Sequence, residues 1–161
     1  MSRRGVTAVG MAVGGLLLGG CSPAELPLAA VSLGEDGEPV AIVRPCGDDR
    51  IGPLHLFSGA GEAGADPGTS WSQTTDARVG RTSFPLFSPP GSLGVSTYGP
   101  QRLSTGARYY LDISGGRGWD AYNVSLTFTS EDLAGLQPGQ VWADGRAMSR
   151  DGFDDLVSDK C

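Results

Sequence analysis

The chain has 161 residues, 26 of them Gly and 11 Pro, with 18 acidic against 12 basic side chains and a formal net charge of −6. That length suits one domain with one core. The acidic balance excludes sequence-independent nucleic-acid binding, which needs clustered Lys and Arg on phosphates.

Residues 1–20 read as a targeting segment, apart from the fold. Arg3 and Arg4 precede an apolar stretch from Val6 to Leu18. Its length suits the apolar part of an export signal and is short for a membrane span. It ends in Leu18-Gly19-Gly20-Cys21. This resembles the lipobox of bacterial lipoproteins, with Leu three places before a cysteine and small residues between. The resemblance implies cleavage before Cys21 and acyl chains, palmitate among them, on the new N-terminal cysteine. Two chains anchor stably where one is marginal. The expected location is therefore the extracytoplasmic face of the cell membrane. Ser2-Arg3-Arg4 also resembles the start of a twin-arginine signal. The Val6-Thr7 that follows fits that pattern imperfectly and favours the general secretory route.

Processing would leave 10 basic against 18 acidic residues, a net charge of −8. The folded domain is then a poor partner for anionic headgroups. With Cys21 lipidated, Cys46 and Cys161 have only each other. An oxidising compartment makes that disulfide the expectation. Closing a loop of about 115 residues contributes roughly 4–5 kcal/mol in the chain-entropy description.

In chain order, residues 21–30 read as the lipidated cysteine and a tether, and 31–161 as a single β-rich domain. Val40–Val43, ended by Pro45, and Leu54–Phe57 read as short strands. Residues 59–69 form a Gly-rich loop with little to bury, expected to be mobile. Tyr109, Leu111 and Ile113 alternate with polar neighbours, and Tyr122–Thr129 alternates cleanly over eight residues. With Gly115-Gly116-Arg117-Gly118 between them, the two runs read as a hairpin. Val141–Ala143 and Arg146–Met148 flank Asp144-Gly145, which suits a type I′ turn. Short helical turns are expected near Glu131–Leu136 and Asp151–Val157. The fold class is mainly β: an antiparallel β-sandwich or barrel-like variant, with one or two short helical turns near the C-terminus.

Chemistry-bearing motifs are sparse. His55 is the only histidine and faces away from Leu54 and Leu56; acid–base or ligand roles need partners that sequence cannot place. There is no Gly-x-Ser-x-Gly elbow and no Ser-x-x-Lys pair. Asp48-Asp49 and Asp154-Asp155 are adjacent pairs, which strand geometry points to opposite faces. The acidic turns Glu35–Glu38 and Cys46–Asp49 lack regular calcium-loop spacing. No metal, cofactor or catalytic residue is assigned. Arg117 and Trp119 on the Gly-rich hairpin tip, and Trp71 in Ser70-Trp71-Ser72-Gln73, are candidate binding residues, because Trp and Arg dominate interface hot spots. The alternative for each indole is core or sheet cover.

Val43-Arg44-Pro45-Cys46-Gly47, Gln140-Val141-Trp142 and the terminal Cys161, with the lipobox, resemble small actinobacterial-type lipoproteins of unknown function. That resemblance implies location and disulfide, and carries no activity. The expected function is a membrane-anchored, non-enzymatic binding or structural module of the cell envelope. Its partners would be the membrane through Cys21 and an envelope protein or wall polymer. The alternatives are a small secreted hydrolase using His55, or a metal or small-ligand carrier.

Overall fold

The structure, a computed structural model, describes residues 23–59, 68–115 and 121–161. These residues build a sandwich of two β-sheets and two helices. In chain order the strands are β1 (Ala24–Glu25), β2 (Ala29–Leu33), β3 (Pro39–Val43), β4 (Leu54–Gly59), β5 (Ser70–Gln73), β6 (Thr82–Pro85), β7 (Val95–Tyr98), β8 (Arg108–Gly115) and β9 (Tyr122–Thr129). Then come α1 (Ser130–Ala134), the hairpin β10 (Gln140–Ala143) and β11 (Arg146–Ser149), and α2 (Arg150–Lys160). Sheet I has the order β1-β9-β8-β4-β5-β7, and sheet II the order β11-β10-β2-β3-β6. All pairings are antiparallel except β1 with β9, which is parallel.

Within 21–30, the stretch expected as lipidated cysteine and tether, the described residues already pair with both sheets. Ala24 pairs with Tyr122 and Glu25 with Asn123, and Ala29 and Ala30 are already fully buried in β2. The physical reason is that Leu26 N–H donates to Asn123 O at 2.9 Å, so the chain joins the edge of β9 before crossing to sheet II.

The longest hairpin is β8–β9, paired over eight positions from Arg108↔Thr129 to Gly115↔Tyr122. Its alternation follows the pleat: Tyr109, Leu111, Ile113, Tyr122, Val124, Leu126 and Phe128 are buried, and the residues between them face outward. Gly115 leaves room for the Tyr122 ring, which a Cβ at that position would overlap. In the β10–β11 turn Asp144 and Gly145 take φ of 51° and 68°, the two positive angles of a type I′ turn.

The central strands of sheet II, β10, β2 and β3, are largely buried on both sides. Val31, Ala41 and Phe84 lie in one row, and Phe84 meets the Trp71 ring of sheet I edge-on at 6.3 Å. By alternation, Ala30, Ile42, Val141 and Ala143 point to the other side, and all four are 0% exposed. There α2 packs on β10 and β11 and buries Phe153 and Val157. Burial on both faces explains the continuous apolar reading of Val40–Val43. Two contacts fasten α2. Cys46 and Cys161 form a disulfide, Cα atoms 5.3 Å apart. Arg44 Nε donates to Asp154 Oδ1 at 3.3 Å, while its Nη1 donates to the carbonyls of Val43 and Thr82. The helix exceeds the two expected turns, with Ser149 as its cap, accepting from Gly152 N–H. At the other end of β9, Thr129 and Asp132 form a capping box that starts α1.

Gly115→Ala should destabilise the domain by about 1–3 kcal/mol, since the Tyr122 ring must move off the strand. Denaturant unfolding checks this, and a neutral effect would contradict the described contact. Reduction should release α2. Stability should fall by about 2–5 kcal/mol, and the intact mass should rise by two hydrogens. An unchanged mass with two alkylatable thiols in the untreated protein would contradict the bond.

Candidate functional site

No described element covers the outer face of sheet I, and two cross-strand rows on it carry the chemistry. The register places Ser72 of β5, His55 of β4, Asp112 of β8 and Ser125 of β9 side by side. The next row holds Tyr98, Ser70, Phe57, Tyr110 and Thr127. These positions point outward because Leu56, Trp71, Leu111 and Leu126 between them fill the core. Directly opposed residues on neighbouring strands hold their Cβ atoms about 4.5–5.5 Å apart.

A shallow groove of about 240 Å³ opens over the polar row at the β1 side. Its side-chain lining comes from Glu25, His55, Asp112, Ser114, Asn123 and Ser125. Ser125 Oγ donates to Asp112 Oδ1 at 2.7 Å. His55 is half-buried and makes no hydrogen bond among the described residues, so its ring nitrogens are available to a ligand. On the distal side Phe57 and Tyr110 stack at 4.9 Å with 15° between planes. Phe57 is 41% and Tyr98 65% exposed.

Ser72, His55 and Asp112 follow one another in the order that a nucleophile, base and orienting carboxylate require. No hydrogen bond links them among the described residues, and Asp112 is engaged by Ser125. The backbone N–H groups of this row belong to a paired sheet, which leaves no preorganised donors for an oxyanion. Among the described residues no cluster of three His, Cys, Asp or Glu could hold a metal ion.

Trp71 is not a surface anchor. It is 0% exposed, its Nε1 donates to Leu86 O at 2.8 Å, and its ring meets Phe84. Position 71 lies on the inward side of β5, so the flanking Ser70 and Ser72 are what the solvent meets. Arg117 and Trp119, and residues 60–67 of the Gly-rich loop, lie outside the described residues. Sequence reasoning singles out His55 and misses Asp112, Asn123 and Glu25, which line the groove with it. Its adjacent acidic pairs have structural roles: Asp154 holds Arg44, and Asp49 Oδ2 stands 3.4 Å from the Tyr122 hydroxyl.

Burial pushes the Tyr122 phenol above its ordinary 10.0, and the Asp49 carboxylate adds to this by disfavouring a neighbouring phenolate. A raised folded-state pKa means that the contribution is fully present below pH 10 and is lost as pH rises through the folded value. Alkaline unfolding should therefore set in as Tyr122 ionises, and Tyr122→Phe should flatten the loss of stability above pH 10.0. A parallel alkaline curve for both proteins would contradict this. No family model matches the chain, and neither a curated protein nor a solved structure matches it at a significant level.

Proposed function

We propose that the protein is an extracytoplasmic lipoprotein, held on the cell membrane by acyl chains on Cys21, and that its domain is a non-enzymatic binding module of the cell envelope. The observation that carries this reading is the leftover cysteine. Cys46 and Cys161 pair with each other, so Cys21 has no cysteine partner in the chain, and it stands in the sequence Leu18-Gly19-Gly20-Cys21. A disulfide between the chain's other two cysteines suits an oxidising compartment. Among the described residues no helix is long and apolar enough to cross a membrane; in this reading the attachment is the lipid on Cys21.

Only Ser22 and Pro23 separate Cys21 from β1. The lipid would therefore hold the β1 edge of sheet I close to the bilayer. The outer face of that sheet, with its polar groove and exposed aromatics, is the surface offered to an envelope protein or a wall polymer.

One arrangement supports a second reading, a small hydrolase: the row Ser72, His55, Asp112. A serine-directed fluorophosphonate separates the two readings. The binding module leaves Ser72 unmodified, whereas a hydrolase gives a Ser72 adduct that His55→Ala abolishes.

The anchor is tested by Cys21→Ser in cells. The expected outcome is release from the membrane fraction or accumulation of the uncleaved precursor. A Cys21→Ser protein that still fractionates with membranes at its mature mass would refute the anchor.

A further inference from the structure

The groove on sheet I has the chemistry of a site for a specific ligand class. It holds two carboxylates, Glu25 and Asp112, and no basic side chain except His55. An anion, whether phosphate, nucleic acid or acidic peptide, would meet repulsion there. Its hydroxyl, amide and imidazole groups make it a poor pocket for an acyl chain. A saccharide satisfies both sides of the groove. Vicinal hydroxyls can donate to Asp112 and Glu25 in charge-assisted hydrogen bonds and exchange further bonds with Asn123 and the free nitrogens of His55. The C–H surface of the sugar ring can pack on the ring of Phe57, which is 41% exposed and which stacking on Tyr110 holds beside the polar row.

The anchor restricts where that saccharide can be. Glu25 lines the groove and follows Cys21 by four residues. A fully extended chain spans at most roughly 3.6 Å per residue, so Glu25 lies within about 14 Å of the acylated cysteine. With the lipid on Cys21, that reach would bring the groove to the headgroup layer.

We infer that the outer face of sheet I, through the groove between Glu25, His55, Asp112 and Asn123 and the neighbouring Phe57–Tyr110 pair, binds the sugar headgroup of an uncharged glycolipid in the membrane that anchors the protein. This rests on the lipoprotein reading given above.

His55 is the only histidine in the chain, so its acylation by diethylpyrocarbonate reports groove occupancy at a single site. The full-length protein is purified from membranes, and its mass establishes the lipid on Cys21. It is then reconstituted in phosphatidylcholine vesicles containing either the neutral glycolipid fraction or the phospholipid fraction of the source membranes. The expected result is several-fold slower acylation of His55 with the glycolipid fraction only. Asp112→Asn and Phe57→Ser, each shown to be folded by circular dichroism, should lose that protection. A purified protein without lipid removes the anchor and this inference with it. A lipidated protein whose His55 reacts equally fast in both vesicles overturns this inference alone. Protection that survives both substitutions also overturns it, by placing the contact elsewhere.

Discussion

The outer face of sheet II is apolar and has to be covered. Ala30, Ile42, Val141 and Ala143 are all fully buried, although alternation points them away from the interior shared with sheet I. An uncovered apolar sheet face invites association with other chains. The C-terminal helix resolves this by laying Phe153 and Val157 over that face. A helix with only two buried side chains is a weak cover by itself. The Cys46–Cys161 bond and the Arg44–Asp154 pair hold it down. Both partners on the sheet side come from one five-residue stretch, Val43-Arg44-Pro45-Cys46-Gly47. That stretch is thus the clasp of the molecule.

The clasp also sets which surface is available for binding. With the central strands of sheet II enclosed between sheet I and α2, the outer face of sheet I is the broad sheet face that no described element covers. The register of four strands, β5, β4, β8 and β9, turns residues far apart in sequence into two adjacent rows. One row is polar, with His55 and Asp112 at its centre, and the other aromatic, with Phe57 and Tyr110. The parallel pairing of β1 adds Glu25 to the polar side. It also ties this face to the N-terminal segment, where the lipid would sit. The row has the order of a relay, but it lacks the hydrogen bonds and oxyanion donors that a relay needs.

The sequence was most legible where one pattern dominated. The alternation of Tyr122–Thr129 and the Asp144-Gly145 turn led directly to β9 and the β10–β11 hairpin, because pleat and turn sterics leave few alternatives. The strands β5, β6 and β7 were harder. Two of them, β6 and β7, are sheet edges, and edges tolerate the Ser, Thr and Pro found in Thr82–Pro85 and Val95–Tyr98. Of the two readings of Trp71, surface anchor or core cover, the fold takes the second: its neighbours Ser70, Ser72 and Gln73 are polar, whereas its own position in β5 points inward. The pairing of Ala24–Glu25 is not legible in the sequence, because two residues of a parallel edge strand carry no periodicity. The groove around His55 was invisible for a different reason: its partners follow from strand register, which one strand's pattern does not contain.

The central claim is that the open face of sheet I, and not the helix-covered side, is the working surface of the protein in its envelope. A photoreactive amino acid placed at Phe57, on that face, and separately at Asp155, on α2, tests this in intact cells. The account predicts a reproducible crosslinked product from position 57, carrying envelope material, and none from position 155. Products from position 155 alone would contradict it and move the functional surface to the helix.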